Sequence, residues 1–224
     1  MKKFLSIVLC LTIIMSLSAT AFATESAMQT RQILVDGVDI TIDIDEEISR
    51  AKKGITDIDT PSMMVASSDC DDVQLYTTTR RIEHPKSNSG EQLYATTSVA
   101  VMPLANEKTD SNSVNANYVT AYGTIYWRDN FGPDNDFLGA SGGWDADVNP
   151  DTNKKPALSK RSVKLEAGTD ARDGVEKTFN FSSNTFEIKE SDFDYTRLFL
   201  TMRTYVTIDS KNKLTLIVQS SPFT

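Results

Sequence analysis

Residues 117–147 read NYVTAYGTIYWRDNFGPDNDFLGASGGWDAD, and this stretch decides the fold class. Its first part, 118–127, is rich in β-branched and aromatic residues and leads into a cluster of turn-forming residues at 129–136. A second extended run follows at 137–147. Two such runs around a turn cluster are typical of antiparallel strands joined by a long hairpin loop.

The same alternation of apolar and polar residues recurs outside this hairpin. The further extended runs are 73–83, 91–104, 160–166, 175–181, 185–188, 195–208 and 214–219. Polar turns separate them, and helix-period stretches are nearly absent. Counted without the weaker run 160–166 or the shortest run 185–188, these make seven or eight strands, which predict an all-β protein, an antiparallel β-sandwich or a flattened barrel.

A small N-terminal unit precedes the sandwich. Two alternating runs flank Asp36-Gly37, a strong signal for a two-residue hairpin turn. Residues 45–54 begin with acidic residues and end with basic ones and a glycine, which predicts a short helix. We therefore predict a hairpin-helix appendage over 24–66 and a sandwich domain over 67–224. The sequence leaves open whether 24–66 is a pro-segment.

Residues 1–23 have the pattern of a secretory signal peptide. Met1-Lys2-Lys3 is followed by an apolar run of ordinary signal length, and Ala21-x-Ala23 forms the cleavage site. The apolar run is shorter than the roughly 20 residues that a membrane-spanning helix needs. We expect a soluble, secreted protein that begins at Thr24, with a signal of bacterial type and no membrane association after cleavage.

Composition argues against several classes of function. The formal net charge of the chain is −8, and loss of Lys2 and Lys3 with the signal makes it two units more negative. Such a protein repels phosphate backbones and anionic membranes, so nucleic-acid binding is disfavoured. Cys70 is the only cysteine after the signal, which excludes an intramolecular disulfide. The single histidine, His84, precedes a proline in a polar turn without a nucleophile motif.

The aromatic residues of the central hairpin form the candidate ligand site. Tyr118, Tyr122 and Tyr126 are four residues apart, so they share one face of a strand. Together with Trp144 they predict an exposed strip on which the apolar faces of sugars stack. The alternative is that these rings are buried in the sandwich.

The candidate metal site is a run of oxygen-bearing side chains at every second position. It consists of Asp145, Asp147, Asn149 and Asp151. Calcium takes six to eight oxygen ligands, which such a loop supplies in part. The standard calcium loop needs Gly and Glu where this chain has Pro150 and Pro156, so only a nonstandard site is compatible. The alternative is a solubilising turn rich in Asx residues. No other cofactor is expected.

The sequence favours a non-enzymatic extracellular binding module for cell-wall glycans, host glycans or surface proteins. One alternative is an extracellular hydrolase that uses carboxylates alone, which requires a cleft with two carboxylates and a raised pKa on at least one. The other is a secreted toxin or bacteriocin-like effector, for which no specific residues stand out.

Overall fold

The computed structural model describes residues 30–35, 38–58, 67–68, 73–83, 91–103, 117–129, 135–148, 153–168, 174–194, 196–197 and 199–220. The predicted signal peptide, His84, Cys70, Asn149 and Asp151 lie outside these residues. Within them, no helix is long and apolar enough to cross a membrane.

The described residues form one α-helix, α1 (Ile44–Lys52), a 3-10 turn at Glu190–Asp192, and thirteen strands. The strands are β1 Thr30–Val35, β2 Val38–Asp43, β3 Ser67–Ser68, β4 Gln74–Ile82, β5 Gln92–Pro103, β6 Asn117–Asp129, β7 Asn135–Ala146, β8 Leu158–Gly168, β9 Val175–Phe181, β10 Thr185–Lys189, β11 Thr196–Arg197, β12 Phe199–Ile208 and β13 Asn212–Ser220.

Two antiparallel sheets form the sandwich. The six-stranded sheet has the order β10-β7-β6-β5-β4, with the short β11 paired to β7, and the five-stranded sheet has the order β3-β13-β12-β8-β9. The predicted all-β antiparallel fold is confirmed. Strands β6 and β7 are the predicted central hairpin, and they lie inside the six-stranded sheet rather than at its edge.

The N-terminal hairpin and helix form as predicted. Val35, the last residue of β1, pairs with Val38, the first residue of β2. Helix α1 begins after Asp43, whose side-chain carboxylate accepts a hydrogen bond from the Glu46 backbone N–H at 3.0 Å. This is an N-cap, and acidic residues in the first turn and basic ones in the last complement the helix dipole.

The main core lies between the two sheets. Trp127 and Trp144 are buried there against apolar side chains of the other sheet, including Met202 and Leu216. The sheets approach so closely at Gly123 that a Cβ atom there would lie 2.6 Å from the Met202 Cε atom. Because Cε is the flexible end of the methionine side chain, a larger residue at position 123 would require Met202 to shift.

A second core lies on the opposite face of the six-stranded sheet. The hairpin β1–β2 and helix α1 cover this face and form a third layer. The buried apolar residues of this layer are Ile33, Val35, Ile40, Ile42, Ile44 and Ala51, and those of the sheet include Ile82, Leu93, Val99, Val101 and Leu138. The domain boundary near residue 66 stays a prediction. The N-terminal hairpin and helix nevertheless share this core with the six-stranded sheet.

Polar contacts fasten the third layer to strand β4. The carboxylate of Glu47, which is fully buried, accepts a hydrogen bond from the Arg80 guanidinium at 2.9 Å. Arg50 pairs with Asp57 at 2.6 Å. The Asp57 backbone N–H donates to the Thr79 carbonyl at 2.9 Å, so the segment after α1 covers the outer edge of β4.

Candidate functional site

The predicted aromatic strip does not lie on the surface. Tyr122 has 2% of its surface exposed, and Tyr126 and Trp144 have none. The expectation of an exposed platform formed by these three rings is therefore wrong. The side chain of Tyr118 lies outside the described part of the chain.

Tyr122 and Tyr126 share one face of β6 as predicted, but both faces of this strand are covered. Val119, Ala121 and Ile125 belong to the inter-sheet core, whereas Tyr122 and Tyr126 face the third layer. The sequence pattern distinguishes the two faces of a strand, but it does not reveal that a distant hairpin covers one of them.

Tyr122 and Tyr126 have well-defined structural roles. The Tyr126 hydroxyl forms a hydrogen bond with the Ser141 hydroxyl at 2.8 Å, and burial raises the pKa of Tyr126. The Tyr122 hydroxyl lies where a Cβ atom on Gly143 would approach it to 2.6 Å. These contacts position the two rings as core side chains.

Trp144 faces the other sheet, away from the two tyrosines. In the register of β6 and β7 it is opposite Ala121, and its ring lies 5.3 Å from that of Phe186. Trp127 is also in this core, stacked on Tyr94 at 4.6 Å with its indole N–H donating to Thr96 at 3.0 Å. Neither indole offers a stacking surface to solvent.

The two described members of the predicted calcium site, Asp145 and Asp147, are exposed at the end of β7. Three or more His, Cys, Asp or Glu side chains suitable for holding a metal ion do not come together anywhere among the described residues. Because Asn149 and Asp151 lie outside them, calcium binding stays a prediction.

Asp145 and Asp147 do line a cavity of about 470 Å³ at the end of the sandwich. Lys155 and Arg161 also contribute to its lining, so charges of both signs surround it. Partial desolvation of the carboxyl group raises the pKa of Asp145, and the negative charges of Asp147 and Asp45 raise it further, whereas Lys155 lowers it. We call this site the end cavity. Sequence analysis missed Lys155 and Arg161, because neither has a local motif.

A second cavity, of about 440 Å³, lies between the N-terminal hairpin and strand β10. Leu138 and Ile188 contribute apolar surface to it, and Arg31, Asp39 and Glu187 contribute charges. Its polar and apolar groups are interspersed, and no set of side chains in it forms a recognisable catalytic arrangement.

The outer face of the five-stranded sheet differs from all of these sites, because no described element packs on it. On β12 this face carries Phe199, Thr201, Arg203, Tyr205 and Thr207, and on β13 it carries Thr215, Ile217 and Gln219. Most of these side chains are half-buried among their neighbours. We call this surface the open face. The alternation in 195–208 predicts that β12 has two distinct faces, but it does not predict which of them stays uncovered.

Four charged residues of the open face are paired with one another. Lys164 contacts Glu166 at 3.0 Å and Glu176 at 2.5 Å, and Arg203 also pairs with Glu166. Hydrogen bonds to Glu176 and Glu166 raise the pKa of Lys164. Two basic and two acidic groups thus neutralise each other on this surface.

Cys70 and His84 lie outside the described residues, so the structure gives no position for either side chain. Comparisons of the chain with protein-family models, with curated proteins and with solved structures found no match.

Proposed function

We propose that this protein is an exported, non-enzymatic binding module that adheres to an insoluble cell-wall or host polysaccharide through the open face. The observation that carries the proposal is the difference between the two sheets. Among the described residues, the six-stranded sheet is covered on both faces, whereas the five-stranded sheet has one face that nothing packs on.

The side chains of the open face suit an extended sugar polymer. Tyr205 lies near the middle of β12, between Ser162 of β8 and Thr215 of β13. A tyrosine ring supplies an apolar face for stacking and a hydroxyl for hydrogen bonding. Thr215 and Gln219, both half-buried on β13, add hydroxyl and amide groups that donate and accept hydrogen bonds.

The charges of this surface favour an uncharged ligand. The basic groups of Lys164 and Arg203 are already neutralised by Glu166 and Glu176. A charged polymer would have to compete with these pairs, whereas a neutral polysaccharide leaves them intact. The net charge of −8 also disfavours anionic polymers.

The proposal is tested by co-sedimentation of the 24–224 protein with insoluble polysaccharides and purified bacterial cell walls. We expect the protein to pellet with at least one neutral polymer, and Tyr205→Ala to lose most of this binding. Tyr76→Ala is the matched control, because Tyr76 is also half-buried but belongs to β4 of the other sheet.

Two outcomes contradict the proposal. Either no polymer pellets the protein, or Tyr205→Ala pellets as well as the unchanged protein. Circular dichroism of both variants confirms that any loss of binding is not a loss of folding. Export is tested separately by N-terminal sequencing of the secreted protein, which should find Thr24 as the first residue.

A second candidate function is polysaccharide hydrolysis at the end cavity. It is favoured by one observation, the presence of Asp145 and Asp147 in one cavity together with the raised pKa of Asp145. Release of reducing sugar ends that Asp147→Asn abolishes would support it. Absence of such release from any polymer that the protein binds would leave the binding module as the function.

A further inference from the structure

The third layer ends above β7 and leaves a gap beside it. Helix α1 packs on β4 and β5, and strand β1 lies over β7. The next strand of the sheet is the edge strand β10, which pairs with β7. Phe186 and Ile188 of β10 face the other sheet, so Glu187 and Lys189 are on the side of the third layer, where both are exposed. The second cavity, of about 440 Å³, occupies this gap.

One wall of the second cavity is the edge of a strand. Four consecutive residues of β1, Arg31 to Leu34, line it. Because consecutive side chains of a strand point to opposite faces, a cavity that touches all four runs along the strand edge rather than over one face. Strand β2 pairs with the other edge of β1, and no described strand pairs with β1 on the side of the cavity. The backbone groups of such an edge are a template for a further strand.

The floor of the cavity is continuous with the core beneath the third layer. Leu138 and Tyr126 line the cavity and also belong to that core. In the register of β6 and β7, Gly139 pairs with Tyr126 and Phe137 pairs with Trp127, so Leu138 is the extra residue of a β-bulge. A bulge changes the direction of a side chain, and here it adds an apolar group to the floor. An apolar side chain placed in the cavity would therefore extend an existing core.

Leu34 is a second, independent sign that this edge has a partner. It is the most exposed large apolar side chain of the described residues, with 61% of its surface accessible, and it lines the cavity. Its neighbours Ile33 and Val35 are buried against the sheet, so Leu34 lies on the outer face of β1. A side chain on an adjacent strand would cover it as a cross-strand neighbour.

We propose that an extended peptide segment of a partner protein pairs with the free edge of β1 and fills the second cavity as an additional strand of the third layer. Its main chain continues the β1–β2 sheet. Every second side chain packs on Leu138 and Tyr126 below, and one of the others covers Leu34. Strand β1 has six residues, or roughly 20 Å, so the segment has about the same length.

The lining of the cavity identifies the chemistry of this segment. A strand edge selects a polypeptide, because only a polypeptide repeats N–H and C=O groups at the spacing of the edge. The charged side chains around the cavity include Arg31 and Lys189 of one sign and Asp39 and Glu187 of the other. Neither an acidic nor a basic segment is favoured by this mixture, so we assign an uncharged segment in which apolar and polar residues alternate. The site is separate from the open face and does not depend on the proposed adhesion function.

The test is an NMR titration of the isotope-labelled 24–224 protein with the blocked hexapeptide Thr-Val-Thr-Val-Thr-Val. We expect saturable shifts at Arg31 to Leu34 and at Leu138, and none at Tyr205. Two N-methylated forms of the peptide then test main-chain pairing, one methylated at its first, third and fifth residues and the other at its second, fourth and sixth. The N–H groups of a strand alternate between its two edges, so only one form should lose binding, by about tenfold or more.

A matched pair of variants tests the position of the peptide. Leu34→Lys should weaken binding severalfold, because it removes the apolar neighbour on the outer face of β1. Ile55→Lys is the control, since Ile55 is also an exposed apolar side chain, at 46%, but it does not line the cavity. Both side chains are exposed, so neither change should alter the fold, which circular dichroism checks.

The proposal is overturned if the hexapeptide causes no shifts, if the two N-methylated forms bind equally, or if Ile55→Lys weakens binding as much as Leu34→Lys. It is also overturned if raising the protein concentration without peptide shifts the same signals, since a second copy of the chain would then occupy the edge of β1.

Discussion

The two sheets of this protein have similar sequence patterns but different surroundings. Both contain strands in which apolar and hydroxyl-bearing residues alternate. The six-stranded sheet lies between the five-stranded sheet and the N-terminal layer, so both of its faces are buried, whereas no element among the described residues covers the open face of the five-stranded sheet. Alternation therefore indicates a strand with two distinct faces, and it does not by itself identify the face that meets solvent.

Hydroxyl pairing explains how polar positions of the six-stranded sheet became buried. Thr97 and Thr124 bond to each other across β5 and β6 at 2.7 Å, and Thr79 bonds to Thr96 across β4 and β5 at 3.1 Å. Each hydroxyl satisfies a neighbour on the same face, so burial leaves these four groups partnered. A threonine that would be read as solvent-facing in the sequence is thus compatible with a covered face.

The largest expected effect is the difference in stability between removing a buried tyrosine of the six-stranded sheet and removing a half-buried tyrosine of the open face. Tyr126→Ala removes a fully buried ring and its hydrogen bond to Ser141, so it should lower the free energy of unfolding by about 3–5 kcal/mol. Tyr205→Ala should cost about 1 kcal/mol or less, because its side chain is only half-buried. Chemical denaturation of both variants measures the difference, and equal costs would contradict the distinction between the two sheets.

Much of the fold follows from the sequence, and the reasons are local. The Asp36-Gly37 signal predicts the β1–β2 hairpin, and the ordering of charges predicts α1 to within two residues at each end. The faces of β5, β6 and β12 follow from period-two alternation. These features depend on turn chemistry and strand geometry within one segment.

The candidate sites could not be predicted in the same way, because they depend on packing between distant segments. The burial of Tyr126 depends on a hairpin roughly ninety residues earlier in the chain. The end cavity joins Asp145 to Arg161, which belongs to another sheet. A single sequence contains no local signal for either contact, since both arise only when the layers assemble.

A smaller effect is expected at the ion pair that fastens the third layer. Arg80→Met leaves the buried carboxylate of Glu47 without its guanidinium partner, which should cost about 2–3 kcal/mol at neutral pH. Thermal or chemical unfolding measures this cost. A cost within error of zero would mean that the pair does not hold the helix on the sheet.

The pH dependence of the stability lost in Arg80→Met is a control for this prediction. Burial raises the folded-state pKa of Glu47 above its ordinary value of 4.5, and the hydrogen bond and charge of Arg80 oppose this rise. The carboxyl group of Glu47 therefore binds a proton more readily in the folded state than in the unfolded state. The stability that this protonation contributes is lost as pH rises through the folded-state pKa of Glu47. Loss of Arg80 raises the pKa of Glu47 further, so the cost of Arg80→Met should shrink as pH falls from the Glu47 pKa of the variant to that of the unchanged protein. In a Glu47→Gln background this pH dependence should disappear.

The smallest effect is expected on the open face. Glu176 pairs with Lys164 at 2.5 Å, but 64% of its side chain is exposed, so solvent and salt screen the interaction. Glu176→Gln should therefore change the free energy of unfolding by about 0.5 kcal/mol or less, and added salt should reduce even that change. Denaturation at low and high ionic strength measures it. A cost comparable to that of Arg80→Met would mean that the open face is covered in the folded protein, because only burial makes the loss of such a pair expensive.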